Sequence, residues 1–237
     1  MPDLDKTFWN RYFTVYDTLN QLFPYQELLD RVVQIIDPKL GENILDAGSG
    51  TGNLAVKINR LGGVVTGLDI SEIGVALHKN KLPQDTVIVG DLAAPLPFLD
   101  KSFDKICCVN TLFSLHPSKR IDVVRELSRV LKPGGKIVLV NLVKGYKPVR
   151  IYTAHAHTLF KSIGFLSGLV RLIFLIPVTL KMFYYSSKLK SGTASRVLFN
   201  IEEQSNLMLK VGFAKVSACE RIFADQAVLN YAQKSIG

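Results

Sequence analysis

Cysteine and histidine are scarce in this chain of 237 residues, at three and four respectively. Cys107 and Cys108 are adjacent in an apolar run and Cys219 stands apart, so a disulfide framework is excluded as the basis of the fold. No His, Cys, Asp or Glu spacing suits a metal, and none is expected. Repeats and low-complexity tracts are missing, and charged residues make up 21%, which excludes a solenoid or a disordered chain. The first residues, MPDLDKTFWNRYF, carry early acids and no apolar core, so no signal peptide is expected and the cytoplasm is the expected compartment.

Acid is missing over a long internal stretch. No Asp or Glu occurs between Glu126 and Glu202, while Lys144, Lys147, Arg150, Lys161, Arg171 and Lys181 are among the cations there. The net charge of +9 is therefore one-sided and points to an anionic partner. Within this span lies GFLSGLVRLIFLIPVTLKMFYY, residues 164 to 185. Cations interrupt it and Pro177 falls near its middle, so a single membrane span is not expected. Drawn as one helix, Lys161, Gly164, Ser167, Gly168 and Arg171 share a narrow polar arc beside a broad apolar face. That pattern suits an interfacial helix and equally a lid over an apolar pocket.

The rest alternates short apolar runs with helical periodicity. Residues 3 to 20 and 23 to 36 predict two helices. ENILDAG, VVTGLDI, TVIVGD, FDKICCVN and KIVLVNLV predict strands, with helices at NLAVKINRL, EIGVALHKNKL and IDVVRELSRVL and a turn at KPGG. EEQSNLMLKVGF predicts a closing helix, and AKVSACERI and QAVLNYAQK two closing strands. Strands alternating with helices mean a mostly parallel sheet.

Asp46-Ala47-Gly48-Ser49-Gly50-Thr51-Gly52-Asn53 links the first strand to its helix. Glycines there let backbone approach a ligand, but G-x-G-x-G is not the G-x-G-x-x-G of dinucleotide-binding loops. Asp69, Asp91 and Asn110 close the next three strands, on the sheet edge where open α/β sheets bind ligands.

ILDAGSGTGN, VTGLDIS, GDLAAPLPFLDKSFDKICCVNTLF and LSRVLKPGGKIVLVN together resemble the class I S-adenosylmethionine-dependent methyltransferases, of the methyltransferase type 11 and UbiE-like superfamily. The resemblance implies a Rossmann-like seven-stranded, mostly parallel sheet with a C-terminal antiparallel hairpin. It implies one domain over residues 1–237: cover helices at 1–38, a cofactor-binding core at 39–145, a helical lid or membrane-facing insert at 146–196, and a closing helix and hairpin at 197–237. S-adenosylmethionine is the implied cofactor. Asp46, Gly48, Ser49, Gly50, Gly52 and Asn53 would hold its methionine part, Asp69 its ribose, Ile70, Asp91 and Leu92 its adenine, and Asn110 would line its reactive end.

VYDTLNQLF is similar to the YD-x-x-N opening of quinone C-methyltransferases, but the Gly-x-His-Arg-type stretch that follows there is replaced by PYQELLDRVV. Tyr16 of this segment, His116 after the fourth strand and His155 in TAHAHTLF are the candidates for contact with the acceptor. His116 can serve as a general base or as a loop cap. His157 is a weaker candidate, and His78 is expected to face solvent. The implied function is methyl transfer to a small, lipophilic acceptor: a quinone, a lipid or a natural-product intermediate. A polar or aromatic small metabolite, with the apolar lid used in a homodimer, is the alternative; a non-catalytic cofactor-binding membrane scaffold is another. An anionic membrane surface is an expected partner and nucleic acid is not.

Overall fold

The computed structural model describes residues 5–188 and 198–236. Its centre is a seven-stranded sheet in the order β3-β2-β1-β4-β5-β7-β6. The strands are β1 (Asn43–Ala47), β2 (Val64–Asp69), β3 (Thr86–Val89), β4 (Phe103–Val109), β5 (Leu131–Leu142), β6 (Glu220–Ile222) and β7 (Ala227–Gln233). β1 to β5 run parallel, and β7 is antiparallel to both β5 and β6. Ile44, Leu45, Ile106, Cys107, Cys108 and Val138 are fully buried, as the unbroken apolar runs of a sheet covered on both faces require.

Helices α1 (Lys6–Tyr16), α2 (Phe23–Ile36), α3 (Asn53–Asn59), α4 (Glu72–Lys81), α5 (Pro117–Val130), α6 (Pro148–Ile163), α7 (Phe165–Lys188) and α8 (Glu203–Val211) surround it. α1 starts where Asp5 accepts a hydrogen bond from the Phe8 amide, and α2 stops where Asp37 turns left-handed at φ 49°.

Several elements differ from their sequence expectation. The first helix ends at Tyr16 and continues as a 3-10 turn over Asp17–Gln21, because Asp17 and Asn20 turn their side chains onto the glycine loop. The turn at KPGG is an excursion inside β5: the partner of Phe103 is Leu131, the partner of Lys105 is Lys136, and Gly134 sits at φ 75° between them. The first closing strand shrinks to Glu220–Ile222, with Ala214 making a separate bridge to Gln233.

The insert after β5 is a helical hairpin rather than one helix. Gly164, at φ 81°, ends α6 and turns the chain into α7, so the polar arc drawn across it is split between two helices. Gly168 allows the close approach, since a Cβ there would lie 2.5 Å from the Phe160 ring. Pro177 bends α7 without ending it; the axis turns by 54° between Phe165–Pro177 and Thr179–Tyr185. No single helix among the described residues is long and apolar enough to cross a membrane.

Candidate active site

The carboxyl ends of β1, β2, β3 and β4 converge on a cleft that encloses about 880 Å³, solvent at its mouth included. Asp46, Gly48, Ser49, Gly50, Asn53, Asp69, Ile70, Asp91, Leu92 and Asn110 all line it. Gly52 does not; it shapes the loop from behind. Gly48, Gly50 and Gly52 have φ of 83°, 51° and 78°, a region costly for any residue with a Cβ.

The two buried acids of the cleft differ in what they touch. Asp69 is engaged by backbone: Gly50 N–H donates to Oδ2 and Ser71 N–H to Oδ1, both at 2.8 Å. It therefore ties the glycine loop to the end of β2, while Ser71 caps α4 by accepting from the Gly74 amide. Asp46 Oδ2 is buried and has no hydrogen-bond partner. Burial, with Asp69 and Asp85 nearby, pushes the Asp46 carboxyl up to about 7. Burial raises Asp69 to about 6 against the opposing backbone hydrogen bonds from Ser71 and Gly50. A buried carboxylate without a partner, facing a cleft, is suited to a cationic ligand group. Asn110, left-handed at φ 53°, likewise presents a buried Oδ1 with no partner.

A second, smaller chamber adjoins the first and shares Trp9, Tyr16 and Asn110 with it. Tyr12, Leu19, Leu22, Phe113, Leu142, Tyr146, Ile151, Tyr152 and Phe223 complete its lining, around about 540 Å³ of space open at one side. No Asp, Glu, Lys, Arg or His is among them. Burial raises the Tyr16 phenol well above its ordinary range, reinforced by Tyr25 and Tyr12; burial also raises Tyr152. Both therefore stay protonated at neutral pH, and the Tyr16 phenol is hydrogen-bonded with that of Tyr25.

Tyr16 stands at the junction of the two chambers. His116 does not reach either; it is exposed at the N-cap of α5, where its Nδ1 lies 2.7 Å from Ser118 Oγ and accepts from the Ser118 amide at 3.4 Å. The cap competes successfully for the ring. His155 is buried between α6 and α2, accepts from the Phe23 amide at 3.3 Å and packs on the Phe23 ring. It too lies outside both linings, and burial lowers its pKa, helped by Arg171. His157 is exposed on the same helix.

His78 is fully buried, contrary to the expectation of a solvent-facing residue. Its Nε2 is 3.1 Å from Asp85 Oδ2, and its Nδ1 is 3.3 Å from Ser49 Oγ in the glycine loop. A Cβ on Gly52 would lie 2.6 Å from the imidazole, so glycine there lets the ring pack directly beneath the loop. Helical spacing in α4 gave no sign of this, because the deciding partner, Asp85, lies beyond the helix.

Sequence reading also missed Trp9, Tyr146, Tyr152 and Phe223 as chamber residues. The i, i+4 run of Phe8, Tyr12 and Tyr16 was the available signal for α1. Phe223 had none, since a run of left-handed residues, Phe223 to Asp225, delivers it. The YD-x-x-N segment acts as a latch: Asp17 accepts from Thr51 Oγ1 at 2.5 Å and from Lys81 Nζ at 2.7 Å, and Asn20 donates to Asn53 at 2.8 Å.

Residues 45–139 match the family described as Methyltransferase domain. The chain is 35% identical over 133 residues to a demethylmenaquinone methyltransferase of Thermotoga maritima, covering 54% of this chain and 57% of that protein. It is 31% identical over 164 residues to the ubiquinone/menaquinone biosynthesis C-methyltransferase UbiE of Yersinia enterocolitica, covering 63% and 64%. The matched regions thus span less than two thirds of these relatives' lengths. Among solved structures, a SAM-dependent methyltransferase from Aquifex aeolicus superposes with TM-score 0.57 at 18% identity, covering 91% of each chain. Magnesium protoporphyrin IX methyltransferase from Synechocystis, with bound SAM, superposes with TM-score 0.59 at 17% identity, covering 97% of each. These two likenesses carry the fold.

Proposed function

From the class I methyltransferase domain that this chain contains, we propose that the protein transfers a methyl group from S-adenosylmethionine to a small, uncharged, lipophilic acceptor. The observation that carries the proposal is the pair of chambers meeting at Tyr16 and Asn110, the first with an unpartnered buried carboxylate and the second, among the described residues, without a charged side chain.

The residues of the first chamber fit the cofactor. Asp46 would pair with its ammonium, the loop from Gly48 to Gly50 would admit its methionine part, and Asp69 would accept from its ribose. Ile70, Asp91 and Leu92 would flank its adenine. Bound S-adenosylmethionine supplies an electrophilic methyl on a sulfonium, so the protein's work is to orient the acceptor and exclude water. Trp9, Phe13 and Tyr16 of α1 close the cleft from above. Tyr16 and Tyr152 can donate hydrogen bonds to a carbonyl or hydroxyl oxygen, which matches a quinone-like or other oxygenated apolar acceptor. The names of the relatives favour a quinone, and the latch explains the YD-x-x-N likeness without requiring one. Among the described residues the second chamber has no imidazole or carboxylate, so the proposed reaction uses no side-chain base from them.

Calorimetric titration with S-adenosylmethionine tests the cofactor half. Wild-type protein should bind it, and Asp46→Asn should weaken binding by roughly 10- to 100-fold, the loss of one charge-assisted hydrogen bond. Absence of binding by folded wild type would remove the reading. Whether the outer side of the lid meets an anionic membrane or a second copy of the chain, and so whether the enzyme is cytoplasmic and peripheral to the membrane, is a separate question of partner.

A further inference from the structure

α7 has two dissimilar sides. Its inner side belongs to the proposed site: Phe183 stacks on Tyr152 of the acceptor chamber, with ring centroids 5.2 Å apart, and Tyr185 packs on Tyr12 at 5.4 Å. Its outer side is apolar and uncovered. Leu166, Leu169, Val170 and Ile173 recur at i, i+3, i+4 and i+7, which places them on one face, and all are exposed. Leu180 and Tyr184 extend the exposed surface past the bend at Pro177. Leu166 and Phe174 are 78% and 79% exposed.

The charge carried by the hairpin and by the chain leading into it identifies the occupant. Lys144, Lys147, Arg150, Lys161, Arg171 and Lys181 are all exposed, and none forms an ion pair with a described residue. α6 and α7 contain no acid that could answer them. A second copy docking on the same face would bring like charges together around the contact. Nucleic acid would leave the leucines and isoleucines facing polar backbone. A surface that is apolar in depth and anionic at its rim satisfies both features, and that is an anionic lipid bilayer.

We propose that the α6–α7 hairpin docks on an anionic membrane, with the outer face of α7 inserted among the acyl chains and the exposed lysines and arginines of the hairpin and its approach on the headgroups. Because α7 also packs on Tyr12 and Tyr152 of the acceptor chamber, docking would place that chamber within reach of molecules dissolved in the bilayer. This deepens the reading of a lipophilic acceptor, but the docking itself needs neither cofactor nor acceptor and is measured without them.

Full-length protein is sedimented with vesicles of phosphatidylcholine alone and with roughly one third phosphatidylglycerol. Strong partitioning onto the anionic vesicles at low salt, falling at high salt, is expected, with weak binding to the neutral ones. The triple variant Lys161→Glu, Arg171→Glu, Lys181→Glu should lose more than about 100-fold in partitioning. The double variant Leu166→Glu, Phe174→Glu should lose at least about tenfold. Retained S-adenosylmethionine binding by both shows that they fold. No binding to anionic vesicles, equal binding to neutral ones, or a dimer in sedimentation velocity that L166E/F174E dissociates would overturn the proposal.

Discussion

Asp46 combines two opposed demands. Its carboxyl is buried and unpartnered, and its pKa stands at about 7 against an ordinary value of 3.8. A raised folded-state pKa means that the folded chain holds this proton more tightly than the unfolded chain does. Its stabilising share is complete below the unfolded pKa of about 4 and is lost as pH rises through about 7. At pH 8, Asp46→Asn should therefore melt higher than wild type in the absence of ligand, by about 3 °C or more, while binding the cofactor worse. A variant that melts lower would contradict the assignment of Asp46 as an unsatisfied buried charge. The same linkage predicts that wild-type affinity for S-adenosylmethionine weakens below pH 7, approaching about tenfold per pH unit, as the carboxylate must shed its proton to meet the ammonium. Titrations between pH 5.5 and 8.5 read this directly, and Asp46→Asn should flatten the curve.

His78 obeys the opposite sign. Burial lowers its pKa below 6.5 although Asp85 opposes the shift. Its share of stability is present above pH 6.5 and is lost as pH falls toward the lower folded-state value. Because its ring touches both Ser49 and Asp85, His78→Phe should cost cofactor affinity as well as stability, and His78→Gln should restore part of both. Equal melting and binding in all three proteins would show that the ring holds nothing in place.

At the scale of elements, the glycine loop is held from three sides: β2 through Asp69, α4 through His78, and the turn after α1 through Asp17 and Asn20. Asp17→Ala removes the acceptor for Thr51 and one of the two for Lys81, which keeps Asn53. It should raise KM for S-adenosylmethionine several-fold with a smaller change in kcat, since the latch orders the loop and touches no acceptor. A fall in kcat alone would place Asp17 in the chemistry instead. The loop and the mostly parallel character of the sheet were legible because local rules govern them: glycines at the strand–helix turn, acids at strand ends, and strands alternating with helices. The lid hairpin was half legible. Its apolarity and charge were plain, whereas the break at Gly164 depends on the packing of Gly168 against Phe160. The sequence left His116 between a base and a loop cap, and the cap on Ser118 is what the structure shows; the role of His155 was not legible, because its contact with Phe23 is decided by a neighbour that composition does not reveal.

Over the whole molecule, the cofactor cleft and the proposed lipid-facing helix are linked through α1. α1 and α7 meet through Phe8, Tyr12 and Tyr185, so the helix that covers the cofactor cleft and the helix packed beside the acceptor chamber share an aromatic cluster. A ligand that binds only the folded chain should stabilise all of it by about 2.7 kcal/mol at a hundredfold excess over Kd, a rise of about 5 °C or more in Tm. Differential scanning fluorimetry with S-adenosylmethionine should show this shift in wild type and little of it in Asp46→Asn.

The central claim is methyl transfer to an uncharged lipophilic acceptor. Its most direct test is incubation of the protein with methyl-labelled S-adenosylmethionine and a whole extract of the host, followed by partition between organic solvent and water. The account predicts label in the organic phase with wild type and almost none with Asp46→Asn. Label confined to the aqueous phase would contradict the uncharged acceptor, and no label in either phase from protein that binds the cofactor would contradict catalysis.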